Sequence, residues 1–214
     1  MSVKLRLGVG INDADYAVTK HINTGERYPN GRQKWKIVWT CPYYRKWSHM
    51  LQRCYCNKYH KKQPTYKDCT VCIGWLTFSS FRKWMLTQDW EGMELDKDLL
   101  IEGNTYYSPE TCVFVKKIVN TFTLDRTNDR GDTVIGVTWH KRDNKFMAQC
   151  SNPFTKEQEK LGYYDCEQEA HLVWKKRKHD LACQLVTRGY VTDERVKIVL
   201  MTKYNNYNVI EEDL

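Results

Sequence analysis

Ile135–Asp165 reads IGVTWHKRDNKFMAQCSNPFTKEQEKLGYYD, and along it the hydrophobic pattern has a period of two. Alternation lets one face of a strand be buried while the other stays wet, so three strands are predicted: Ile135–Arg142, Lys145–Ser151 and Glu159–Asp165. Asp143-Asn144 joins the first two as a tight hairpin turn. A helix is predicted next, from about Glu167 to Val186, because Ala170, Val173, Trp174, Arg177 and Leu181 lie on or near one face. Its other face shows Lys175, Lys176, Lys178 and His179. Three strands and one helix make a small antiparallel sheet packed on a helix. Val137, Phe146, Ala148, Leu161 and Trp174 are its core candidates. Alternation sends Thr138, His140, Arg142, Lys145, Met147, Gln149 and Ser151 to the opposite face. That face is polar and basic, and a small sheet of this kind can enter the DNA major groove and read base edges.

Upstream, the pattern is different. Residues 1–40 read as a mostly irregular N-terminal segment, with a loop at GERYPNGRQ and a strand at WKIVWT. Pro42 can open a helix in which Trp47, Leu51 and Cys54 follow helical spacing. TFSSFRKWMLTQ gives a second helix, with Phe78, Phe81 and Met85 on one face. Leu95–Cys112, LDKDLLIEGNTYYSPETC, reads as two short strands around Gly103-Asn104. CVFVKKIVNTF then runs from strand into helix. Leu124–Thr133, LDRTNDRGDT, is the best linker candidate. A last amphipathic helix is expected over Asp193–Tyr204, before an acidic tail at Glu211-Glu212-Asp213. The fold class is α+β, divided into residues 1–40, 41–123, 134–187 and 188–214.

Charge narrows the partners. The chain of 214 residues carries a net charge of +8. Arg27–Lys67 holds eleven Lys or Arg and no Asp or Glu, interleaved with Trp35, Trp39, Tyr43, Tyr44, Trp47, Tyr55, Tyr59 and Tyr66. Basic charge mixed with aromatics suits a polyanion, most simply nucleic acid. No apolar run is long enough to span a membrane, and the N-terminus lacks a secretory core, so a cytoplasmic location is expected. No heptad run is present, so a monomer is expected. The nine cysteines should be reduced in an intracellular chain. Cys69-x-x-Cys72 is a zinc half-site that Cys54, Cys56 or Cys41 would complete, with a set of Cys41, Cys54, Cys69 and Cys72 able to hold a tetrahedral ion.

Two family resemblances follow from these residues. GVTWHKRDNKFMAQC with KLGYYDCEQEAHLVWKKRK is similar to the ethylene-response-factor (ERF-type) DNA-binding domain, over about residues 134–182. The resemblance implies a sheet in the major groove, with Thr138, His140, Gln149, Ser151 and Lys160 as readers. The family usually has Arg at the places of Thr138 and His140, and often Trp at Lys160, so its target sequence does not transfer.

In phage proteins such domains often follow an HNH-class nuclease module. WSHMLQRCY, PTYKDCTVCIGWLTFSSFRKWM, LDKDLLIEGN and YSPETCVFVKKIVN resemble a phage-encoded HNH-like homing-endonuclease family over about residues 41–122. That resemblance implies a ββα-metal fold binding Mg or Mn. Asp96 and Asn120 would be the metal ligands. Asp96, Lys97 and Asp98 would form the catalytic group.

Two positions depart from the family. Lys97 stands where the catalytic His would be, and Thr111 where the middle Asn would be. A protonated lysine is no base, so Lys97 would contact phosphate or stabilise the transition state. The base would then be His49, His60 or Asp98, or a different metal site would use Asp96, Asp98 and Glu102. Three functions are therefore expected: a metal-dependent DNA endonuclease, a catalytically inert DNA-binding regulator or antagonist of host machinery, and a module for an acidic protein partner.

Overall fold

The computed structural model describes residues 5–124 and 132–206. The chain is α+β, and it forms two compact units: residues 1–91 with 95–114, and residues 92–94 with 115–214. Residues 125–131, most of the expected linker, lie outside the described residues, as does the acidic tail.

The first unit opens with an antiparallel ribbon of β1 (Thr19–Arg27) and β2 (Gln33–Thr40). The segment expected to be mostly irregular therefore contains a hairpin. The sequence hid β1 because TKHINTGER is nearly all polar and shows no alternation. The loop after it does turn as expected, with Gly31 at φ +80° and the Asn30 side chain accepting the Arg32 N–H.

Next comes α1 (Pro42–Tyr55), with Pro in its first turn, followed by the one-turn α2 (Asn57–His60) and the short β3 (Thr70–Val71). α3 spans Phe78–Met85. Helical spacing on α1 buries Trp47, Met50, Leu51 and Cys54, and α3 buries Phe78, Phe81 and Met85. Trp47 and Phe78 meet with ring centroids 5.5 Å apart. The Trp47 indole N–H donates to the Trp75 carbonyl at 2.7 Å, so its polar atom is satisfied in the core.

β4 (Met93–Asp96), β5 (Tyr106–Tyr107) and β6 (Val113–Lys116) follow, then α4 (Lys117–Thr123). Leu95–Cys112 does not close on itself as the expected hairpin. β5 pairs in parallel with β3, and β4 shares a separate two-stranded sheet with β6. Residues 97–105 form a loop instead, because their polar side chains bond the backbone locally, as detailed below.

In the second unit β7 (Val137–His140), β8 (Lys145–Ser151) and β9 (Gln158–Tyr164) form an antiparallel sheet in that order. α5 (Glu167–Thr187) packs on one face. Val137, Ala148 and Ala170 are buried there, with Phe146, Leu161, Tyr164 and Val173 against them. Gly136 precedes β7 at φ +83°, and a Cβ there would overlap the Trp174 indole. Only glycine meets both demands. α6 (Glu194–Lys203) is capped by the Asp193 side chain, which accepts the Arg195 N–H.

Two expectations for this unit are corrected. Residues 141–144 form a four-residue turn between His140 and Lys145, with Asn144 at φ +51°, rather than a two-residue turn. Arg142 therefore lies in the turn, off the sheet face. Lys178 was expected on the solvent side of α5 but is only 8% exposed. Its ammonium donates to the Phe122 carbonyl at the end of α4 and lies over the Phe122 ring. Burial pushes its pKa down to about 8. Among the described residues, no helix is long and apolar enough to cross a membrane.

Candidate nucleic-acid interface

The sheet face turned away from α5 is set by register. Paired residues of neighbouring strands share a face. Thr138 pairs with Met147, and Met147 with Tyr163; His140 pairs with Lys145. Gln149 pairs with Lys160, and Ser151 with Gln158. Tyr163 and Lys160 are three apart and would lie on opposite faces of a regular strand. The register shifts between Ala148 and Gln149, leaving Leu161 unpaired as a bulge. The bulge returns Lys160 to the outer face and lets Leu161 join the core.

Several outer side chains hold one another. The Gln149 amide donates to the Thr138 hydroxyl at 2.8 Å. The Ser151 hydroxyl donates to Gln158 Oε1 at 2.6 Å. The His140 and Tyr163 rings meet edge-on at 5.1 Å. Lys145 Nζ lies 3.3 Å from Asp165 Oδ2, and His140 Nδ1 lies 3.2 Å from Asp143 Oδ2. Of the residues expected on this face, Thr138, His140, Lys145, Gln149, Ser151 and Lys160 are brought together; Arg142 is not.

Beneath the sheet lies a clamp that no local pattern signals. Glu159 points to the helix side, where Arg177 of α5 donates to both its oxygens at 2.6 and 2.9 Å. Asn152 adds a bond of 2.7 Å. The Arg177 hydrogen bonds outweigh burial and hold the Glu159 carboxyl down at about 2. This fork ties β9 to α5.

The acid–lysine–acid loop lies in the first unit. Asp96 Oδ1 accepts the backbone N–H groups of Asp98 and Leu99 at 2.9 and 2.7 Å, in an Asx-type turn. Lys97 is turned inward, 8% exposed. Its ammonium donates to Asp98 Oδ2 at 2.9 Å and to the Asn104 carbonyl at 2.7 Å, and lies 5.7 Å from the centre of the Tyr66 ring. Asn104 returns the bond: its amide donates to the carbonyls of Lys97 and Tyr106 at 2.6 and 2.7 Å. Thr111 Oγ1 donates to the same Tyr106 carbonyl.

Asn104 and Thr111 thus brace the loop, and the sequence reading had given Asn104 only a turn role. Burial opposes the charge on Lys97, but the hydrogen bond and charge of Asp98 outweigh it and raise its pKa. Burial, with the like charge of Asp98, pushes Asp96 up to about 6.

His60 shares a 2.8 Å bond with the Arg53 carbonyl. Burial and then the charge of Arg53 lower the pKa of His49. Asn120, in the second unit, donates to Glu94 Oε2 at 2.5 Å. Asp96 belongs to the first unit. Cys41 is hydrogen-bonded with the Tyr16 hydroxyl at 3.6 Å. Burial pushes the Cys54 thiol up to about 12, and raises those of Cys69 and Cys72. Zinc binds the thiolate.

Among the described residues, no three His, Cys, Asp or Glu side chains are grouped to hold a metal ion. Asp96 Oδ1 is engaged by two N–H groups, and the Asn120 amide nitrogen by Glu94. Comparison of the chain with protein-family models, curated proteins and solved structures gave no match.

Proposed function

We propose that this chain is a sequence-specific double-stranded DNA-binding protein that docks the outer face of β7–β9 in the major groove. The observation that carries this reading is the polar outer face built from Thr138, His140, Gln149, Ser151 and Lys160, on which Gln149 bonds Thr138 and Ser151 bonds Gln158. Two strand spacings of about 4.8 Å give a sheet roughly 10 Å across its backbone. That fits a major groove about 12 Å wide. The Gln149 amide spends one N–H on Thr138. Its second N–H and its carbonyl remain to pair with N7 and N6 of adenine. Lys160 and the basic balance of the chain supply phosphate contacts. The likeness of residues 134–182 to ERF-type domains supports the same reading.

HNH-type cleavage is supported by chain order alone, with two strands and a helix at 93–96, 113–116 and 117–123. Against it, the lysine at the position of the family's base is buried and ion-paired. Incubating duplex DNA of mixed sequence with the protein and Mg²⁺ or Mn²⁺ tests both readings. Retention on the protein with no nicked or cut product is expected. A product that disappears in Asp96→Ala would replace this reading with the nuclease one, and failure to bind any duplex at moderate salt would favour an acidic protein partner.

A further inference from the structure

The β1–β2 ribbon lies far in sequence from β7–β9 and shares no residue with it. Lys20 through Arg27 and Trp35 through Trp39 are all exposed. Trp35 is 59%, Ile37 56% and Ile22 49% exposed, so neither face of the ribbon is covered. Isolated apolar side chains at a surface need no explanation, but a continuous ribbon of them marks a contact.

The register divides the ribbon into two faces. Asn23 pairs with Trp35 and His21 with Ile37, while Ile22 pairs with Lys36 on the other side. Lys20 then pairs with Trp39, which leaves Val38 as an extra residue on β2. This bulge turns Trp39 onto the face of Lys36. Lys20, Ile22, Lys36 and Trp39 therefore form one face, with the Lys20 ammonium 5.5 Å from the centre of the Trp39 ring.

Charge selects the occupant. Residues 19–40 contain Lys20, Arg27, Arg32, Lys34 and Lys36 against Glu26 alone, a net +4 (five minus one). A second copy of so basic a ribbon would repel it. A polyanion would not. A two-stranded ribbon also fits the major groove of a duplex. We infer that the β1–β2 ribbon is a second DNA-binding element. It seats in a duplex groove with Lys20 and Lys36 on phosphates, and with Trp39 and Ile22 against the bases. The inference shares its ligand with the reading above, and its test separates the two.

The test is fluorescence anisotropy of the full chain on short duplexes of mixed sequence, repeated across a salt titration. The variants are the double substitution Lys20→Gln with Lys36→Gln, and Gln149→Ala. Removing two phosphate contacts should lower the slope of log affinity against log salt by about 2, at roughly 0.9 per contact, and weaken every sequence alike. An unchanged slope in the double variant, with binding still weakened by Gln149→Ala, would overturn the ribbon and leave the sheet. Loss of slope in the double variant with Gln149→Ala neutral would keep the ribbon and overturn the sheet. A dimer in sedimentation that Trp35→Ala dissolves, with DNA affinity unchanged, would assign the ribbon to a second copy and overturn the inference.

Discussion

At the scale of the residue, Gln149 and Asp96 show how local bonding decides what a polar side chain can do. Gln149 is oriented by Thr138. Gln149→Ala should relax discrimination at one base pair by roughly 1–3 kcal/mol. Duplexes substituted one position at a time measure it, and equal weakening at all positions would show a phosphate role instead. Asp96 has a native pKa of about 6 against the ordinary 3.8. The native state therefore holds this proton more tightly than the unfolded chain does. By linkage its contribution to stability falls as pH rises from about 4 to about 6, and stays lost above that.

Asp96→Asn keeps the Oδ1 acceptor and removes the charge. It should melt higher than the natural protein at pH 7, with the gap closing below pH 4, as thermal melts across that range would read. The outer-face residues were legible because alternation is a one-dimensional signal. Lys160 was reached only through the resemblance, since its face depends on a bulge at Leu161 that period two does not announce. Arg142 was misplaced because the turn takes four residues. Lys97 was read as available for phosphate, but its partner Asn104 lies seven positions away and no pattern links them.

At the scale of the element, legibility followed hydrophobic periodicity. Lys145–Ser151 appears as expected, and α1, α5 and α6 lie within a residue or two of their readings. Lys145–Ser151 alternates and α1 repeats strongly, whereas α5 and α6 are only weakly amphipathic. β1 is polar apart from Ile22 and Gly25, and so gives no alternating signal. The pairing of β3 with β5 joins two-residue strands 36 positions apart, Thr70 with Tyr106, and local pattern carries no trace of it. The Glu159–Arg177 fork was equally silent, being an ion pair between a strand and a helix 18 residues apart.

That fork yields a prediction. The Glu159 carboxyl sits near 2 against the ordinary 4.5. Its stabilisation is present above about pH 4.5 and lost as pH falls towards 2. Arg177→Met should cost on the order of 2 kcal/mol at neutral pH, allowing for partial solvent screening. It should also flatten the acid limb of the stability curve, as denaturant titration at several pH values would show. An unchanged acid limb would mean that the fork does not tie β9 to α5.

At the scale of the whole molecule, the chain combines a basic composition with two compact units, each bearing its own polar strand surface. The first unit carries the β1–β2 ribbon and the second the β7–β9 sheet. Binding that is strongly salt-dependent is expected from the charge alone. Under the proposed function the outer sheet face adds sequence preference, because phosphate contacts position a protein while base contacts specify its site. The most direct test is selection from a random-sequence duplex pool by the natural protein and by a His140→Ala, Gln149→Ala double variant. The natural protein should enrich one motif, and the double variant should bind DNA with that motif lost or degraded. No enriched motif, or the same motif from both proteins, would contradict sequence reading by this sheet.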